Sequence, residues 1–132
     1  MTERDFSPVD FPLSTFLGLR MEVPEPGRAV AELDLGPELH NPNGVVHGGV
    51  LFTMVDTSMG AATMSVLDDD QICASIEVHL RFLRSASTGT LAAEAEVIRR
   101  GGRIVHLRSD VRDGDDELLA VGTGSFAVLS AP

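Results

Sequence analysis

The spacing of apolar positions divides the chain into period-two segments around one long apolar run. From Arg28 the pattern alternates, with Ala29, Ala31, Leu33 and Leu35 against Val30, Glu32 and Asp34. Gly27 and Gly36 bound this segment, which predicts a first strand. Residues 72–83 alternate without a break, Ile72, Ala74, Ile76, Val78, Leu80 and Phe82 against Cys73, Ser75, Glu77, His79, Arg81 and Leu83, the clearest strand pattern in the sequence. Thr90 to Ile98 has the same character. Gly101-Gly102 predicts a hairpin turn into residues 104–111, and Asp113-Gly114 a second turn before a last strand over residues 118–129. Residues 50–67, VLFTMVDTSMGAATMSVL, are apolar nearly all the way round a helix and stop at Asp68, Asp69 and Asp70. Such a helix must be covered on most sides.

The order is therefore strand, loop, one helix, then four strands joined mostly by hairpins. Hairpins imply antiparallel pairing, and a lone apolar helix beside such strands is hidden only if the sheet curls around it. The fold class expected is α+β, a curved antiparallel sheet of five or six strands wrapped around one central helix. Residues 1–12, broken by Pro8 and Pro12, read as a loose arm, and Leu13 to Leu19 as a short helical piece. On this reading residues 1–27 are an N-terminal arm and residues 28–132 the folded domain.

Composition narrows the functions open to such a domain. With 132 residues, 43% of them hydrophobic, there is room for one domain with a real core and not for two. The 20 acidic residues outnumber 10 basic ones, all arginine, for a formal net charge of -10. That balance disfavours nucleic acid, whose binding needs a broad positive surface, and it repels anionic membranes. Cys73 is the single cysteine and has no internal disulfide partner, and residues 1–10 lack the basic start and apolar stretch of a secretion signal. A cytoplasmic location is expected. Residues 50–67 reach the lower length limit of a membrane span but carry Asp56 and Gly60 without basic or aromatic flanks, which fits a core helix.

Candidate chemistry gathers at residues 40–56. The loop HNPNGVVHGG, with two Asn, one Pro and three Gly, cannot hold regular structure and enters the helix through Gly48 and Gly49. Glycines there leave the first backbone N–H groups open to a ligand, and the helix dipole adds partial positive charge, an arrangement that polarises a carbonyl or holds an oxyanion. Two turns further in lies Asp56, the helix's only ionisable group. Burial pushes a carboxylic acid's pKa upward and suits it to serve as general base or nucleophile. The structural alternative is that Asp56 bonds Thr53, Thr57 or a loop N–H. Eight residues of helix separate Gly48 from Asp56 by about 12 Å, so if both act on one carbonyl they come from different subunits about a two-fold axis.

The run Asn41-Pro42-Asn43-Gly44-Val45-Val46-His47-Gly48-Gly49, with Asp56 seven positions on, resembles the hotdog-fold thioesterases of the PaaI-like, acyl-CoA type. The segment from Ser75 to Arg84 is similar as well, and the resemblance covers roughly residues 28–129. It implies a hotdog fold, hydrolysis of acyl-CoA thioesters, and a homodimer with sites at the interface that pairs again into a dimer of dimers. It also implies that the Gly48 N–H polarises the thioester carbonyl while Asp56 of the other subunit attacks or activates water. Asn41 would position substrate or water, His47 would orient the loop or help bind the thioester, and Ser75 would stand near the attacking carboxylate. Ser85 stands where Arg-Pro-Ala is common, and His79 where Asn is frequent, departures that bear on substrate more than on reaction.

Five arginines lie between residues 81 and 103, and such a cluster, Arg81, Arg84, Arg99, Arg100 and Arg103, could receive the phosphates of coenzyme A. The alternative is solvated strand and turn charge. Gly49 is expected at the substrate, and Phe52, Met59, Met64 and Phe82 are candidates to line an apolar pocket for an aromatic or medium-chain acyl tail; methionines at helical spacing also suit plain core packing. No cofactor is expected beyond the coenzyme A of the substrate. The four His and one Cys show no metal-ligand spacing, the acidic runs at residues 68–70 and 113–116 do not fit a calcium loop, and Gly122-Thr123-Gly124-Ser125 is not a nucleophile elbow. Two rival functions remain: a hotdog hydratase or dehydratase on an enoyl or β-hydroxyacyl thioester, and a non-catalytic acyl-CoA binding module.

Overall fold

The computed structural model describes residues 6–8 and 10–132. Its strands are β1 (Ser7–Pro8), β2 (Arg20–Glu25), β3 (Arg28–Asp34), β4 (Gln71–Phe82), β5 (Thr90–Arg100), β6 (Ile104–Arg112) and β7 (Leu118–Ser130). Two α-helices, α1 (Pro12–Leu17) and α2 (Gly48–Met64), and a 3-10 turn at Pro37–Leu39 complete it. The strands form one antiparallel sheet in the order β1-β2-β3-β5-β6-β7-β4. Helix α2 packs against six of them, β2 to β7. Six strands laid flat span roughly 24 Å, twice the 10–12 Å diameter of a helix, so contact with all six requires the sheet to bend around α2, as the apolar run demands.

The core sits between them. Met54, Val55, Met59 and Ala62 of α2 are fully buried, as are Ala29, Ala31 and Leu33 of β3 and Leu91, Ala93 and Ala95 of β5. The alanines stand in register, Ala29 beside Ala95 and Ala31 beside Ala93, and their small side chains let the helix lie close to the middle of the sheet. Met59 is therefore a core residue, not part of a ligand pocket, a correction to its candidate role.

Two features depart from the sequence reading. A strand that period-two patterning does not find, β2, extends the sheet ahead of residue 28. Pro24, Pro26 and three half-exposed positions hide it; pairing with β3 holds it, reinforced by Arg20, whose guanidinium donates to Glu32 at 2.8 Å and Asp34 at 3.2 Å. The short helix α1 is in place, opened by Pro12 and ended by Gly18 at φ 67°, while most of the arm before it lies outside the described residues. The second departure is in β4. Its alternation is broken by a bulge, since Ser75 pairs with Phe126 but Glu77 with Ser125, leaving Ile76 unopposed. Cys73 and Ser75 turn toward α2 before the bulge, and Val78 and Leu80 after it.

Asp113 closes the β6–β7 turn by accepting the N–H groups of Asp115 and Glu117 through Oδ1, a turn use for that acidic run. No helix among the described residues is long and apolar enough to cross a membrane.

Gly122 and Gly124 of β7 lie directly under α2. A Cβ at Gly124 would stand 2.9 Å from Met59 Sδ and 3.0 Å from the Glu77 carbonyl. Gly124→Ala is expected to destabilise the protein by about 1–3 kcal/mol through overpacking, read as a lower urea midpoint at unchanged m-value.

Candidate active site

The loop before α2 is built by its own side chains. Asn41 Oδ1 accepts the Asn43 N–H at 2.8 Å, the Asn41 N–H donates to the Val45 carbonyl at 2.7 Å, and Gly44 takes φ 75° to close the turn. His47 then caps the helix: its Nδ1 accepts the Gly49 N–H at 2.8 Å and its carbonyl accepts from Val50 at 2.9 Å. The first bond keeps Nδ1 unprotonated, with the ring proton on Nε2 in the neutral form. A Cβ at Gly49 would lie 3.0 Å from that Nδ1, so the cap needs glycine there. Among the described residues no acceptor takes the remaining N–H, that of Gly48. Gly48 lines a cleft of about 340 Å³ together with Asn41, Leu51, Phe82 and Arg84. The edge of the Phe82 ring packs on Gly48, where a Cβ would come within 3.1 Å.

Asp56 stands on the one stripe of α2 that the sheet leaves uncovered. Thr53, Asp56, Thr57, Gly60 and Ala61 are half-buried and Met64 is exposed, at helical spacing down one side. From Asp56 to Met64 this stripe forms a wall of a cavity of about 710 Å³, and Ser75 and Phe126 stand opposite. Asp56 Oδ1 is shielded from solvent and accepts no hydrogen bond, so neither Thr53 nor Thr57 satisfies it; Thr53 Oγ1 donates instead to the Gly49 carbonyl. Burial raises the Asp56 pKa above its ordinary value, and the Ser75 hydroxyl beside it pulls the other way. Cys73, in the same wall, has its thiol pKa raised by burial and by the Asp56 charge.

The two candidate groups thus open into different recesses of one chain, with about 12 Å of helix between them. A family model of the thioesterase superfamily matches residues 43–120, a stretch that holds the Gly48 N–H, Asp56 and Ser75. The chain belongs to the thioesterase superfamily. A Halobacterium salinarum protein named as an esterase is 34% identical over 91% of this chain and 86% of its own length. The 1,4-dihydroxy-2-naphthoyl-CoA hydrolase of Listeria monocytogenes is 26% identical over 88% of this chain and 94% of its own. The Escherichia coli PaaI protein from the phenylacetic acid degradation operon, 22% identical, superposes with a TM-score of 0.83 over 90% of this chain and 85% of that one, which establishes the hotdog fold.

Within this thioesterase-superfamily chain, Gly48, Asn41 and Arg84 meet at one cleft, and Asp56 and Ser75 at the other cavity. His47 and Gly49 lie along a third recess with Leu13 and Phe16, on the capping side of the loop. Phe52 is exposed. The arginines do not form one cluster. Arg81 lies in a shallow groove with His79 and Arg108, and Arg84 pairs with Glu117 at 3.2 Å. Arg100 is tied to the β5–β6 hairpin by the Gly101 and Gly102 carbonyls and to Gln71 at 3.3 Å, and the Arg103 carbonyl accepts from Val128. Gln71 and Arg84 bracket a 12-residue strand, so these two groups of arginines lie roughly 30 Å or more apart. Sequence reasoning missed Thr57, Gly60 and Ala61, which helical spacing from Asp56 could have found, and Phe11 and Met21, which only the fold brings to the cavity.

Burial penalises the ionised form of Asp56. The protonated acid's contribution to stability is present below the ordinary carboxylate range and is lost as pH rises through the raised value. At neutral pH the charge is therefore a cost to folding. Asp56→Asn should raise the calorimetric Tm at neutral pH, with the gain shrinking as pH falls to about 3.

Proposed function

We propose that the protein hydrolyses acyl-CoA thioesters to the free acid and coenzyme A at sites shared between two subunits. The observation that carries this reading is the pairing of an unbonded Gly48 N–H at a helix start with an unpartnered Asp56 oxygen, too far along one helix to meet in one chain. Strand β4 supports the assembly. It is a 12-residue edge strand paired on one side only, and it carries exposed Ile72, Ile76 and Phe82. Antiparallel pairing of two copies about a two-fold axis would lay the Ser75 half of one β4 beside the Phe82 half of the other. Asp56 of one copy then comes toward Gly48 of its partner. Further pairing into a tetramer and action on soluble esters in the cytoplasm belong to the same reading, and the Listeria hydrolase, named for a CoA thioester, agrees with the substrate class.

In the reaction, the Gly48 N–H and the helix dipole polarise the thioester carbonyl and stabilise negative charge on its oxygen. Ionised Asp56 takes a proton from water, whose oxygen attacks the carbonyl carbon. The tetrahedral intermediate collapses, the C–S bond breaks, and the thiolate leaves and is protonated. Asp56 can also attack directly, giving a mixed anhydride that water then cleaves. Arg84 lines the Gly48 cleft, and in this reading it would meet the nucleotide end of coenzyme A.

Gly48→Pro removes the N–H at a helix position that accepts proline, since His47 is already extended at ψ 136°. Thiol release should fall by about 10²–10³ relative to Gly48→Ala, which keeps the N–H against the same Phe82 contact. Mixing Gly48→Pro chains with Asp56→Asn chains, each inactive alone, should restore one working site per mixed dimer; verified mixing without recovery would reject the shared site.

The kcat/KM profile should lose activity on the acid side at a pH above the ordinary carboxylate range of about 4. Ser75→Ala removes the group that opposes the burial shift, so the limb should move to still higher pH.

A further inference from the structure

Gly60 is an interior residue of α2, one turn beyond Asp56, where glycine weakens a helix relative to alanine. Among the described residues nothing requires the absence of a side chain. A Cβ built there meets one atom within 4 Å, Phe126 Cε2 at 3.7 Å, an ordinary van der Waals contact. Gly122 and Gly124 differ, each facing atoms at 3.3 Å or less, backbone included. What a Gly60 side chain would occupy is the cavity beside Asp56, whose lining also includes Phe11, Met21, Met64, Ile72 and Phe126. Among the described residues, Asp56 is the only charged side chain on that lining.

We infer that Gly60 is a specificity-determining position: its missing side chain leaves room next to the Asp56 carboxylate for a bulky, uncharged acyl group, of the size of an aromatic ring, to extend between Phe11, Met64 and Phe126. The inference rests on the thioesterase reading above and adds the class of acyl group. A small acyl group leaves most of a cavity of about 710 Å³ unfilled. An acyl group ending in a carboxylate would meet the Asp56 charge with no cation among the described lining residues to offset it. Size selection by an apolar pocket is worth about tenfold or more per methylene-sized change, so a side chain at this position should be visible in substrate preference.

The test compares wild type, Gly60→Ala and Gly60→Val with phenylacetyl-CoA and acetyl-CoA, following thiol release. The phenylacetyl-to-acetyl ratio of kcat/KM should fall modestly in Gly60→Ala and by about tenfold or more in Gly60→Val. The Tm of Gly60→Ala should rise by about 2 °C, as alanine favours the helix. Wild type should prefer butyryl-CoA to succinyl-CoA by about tenfold or more. An unchanged ratio in Gly60→Val overturns the inference, as does a lower Tm or weaker self-association of Gly60→Ala, either of which makes the glycine a packing requirement. Equal use of succinyl- and butyryl-CoA overturns its charge component. Wild type that releases no thiol from any ester defeats the thioesterase reading instead. In that case, saturation-transfer NMR with phenylacetamide still tests the pocket: binding to wild type that is lost in Gly60→Val supports it, and equal binding or none overturns it.

Discussion

The burial of one helix inside one sheet governs the rest of the molecule. Helix α2 has almost no polar surface, so six strands bend around it, and the alanines of β3 and β5 bring their backbones near enough to close the core. The sheet cannot cover the helix completely, because the order of strands ends at β4 and leaves a stripe from Thr53 to Met64 half open. Asp56 occupies that stripe. It is shielded enough for burial to raise its pKa and open enough to line a large cavity. A carboxylate deeper in the core would be neutral at working pH, and one on the surface would have an ordinary pKa and no shelter from water.

The bulge in β4 follows from the same constraint. An unbroken strand could not point Ser75 at the helix while also burying Val78 and Leu80 against it, because those positions differ by an odd number of residues. Leaving Ile76 unopposed resolves the conflict. One strand then serves both ends of the site: Ser75 stands beside Asp56, and Phe82, seven residues on, packs against Gly48. The unopposed Ile76 is exposed between them on the free edge, where a second copy of the strand would cover it.

How much of this could be read in the sequence depends on whether a feature is local. Gly48 and Asp56 were legible because paired glycines at a helix start and a lone acid in an apolar run are conflicts with stability that call for a reason. The central helix and the strands from Arg28 onward were legible from periodicity alone. The bulge was not, because Ile72, Ala74, Ile76, Val78, Leu80 and Phe82 continue an apolar alternation straight through it, and residue type does not reveal a skipped pairing. Strand β2 escaped because its two flanking or internal prolines and its charged positions read as part of an N-terminal arm; its stability comes from β3 and from Arg20, a partner 12 residues away from Glu32. The arginines misled for the opposite reason. They are close in sequence, but an extended strand carries neighbours far apart in space.

The accounting of N–H groups at the start of α2 explains why this loop has its particular composition. A helix begins with backbone donors that no carbonyl of its own can satisfy, and most proteins cap them with a side chain or leave them to water. Here His47 takes one with its ring, which requires glycine at position 49 so that the ring can lie against the backbone. Val50 is taken by the His47 carbonyl. Gly48 is left, held rigidly by bonds on both of its neighbours and overlaid by Phe82. A donor fixed in this way needs no reorganisation when charge develops on a substrate oxygen, and fixed dipoles stabilise such charge more effectively than mobile ones. In the proposed reaction the cap and the donor are one device: His47 would act on chemistry through the backbone it holds, and the surrounding glycines are the space that device needs.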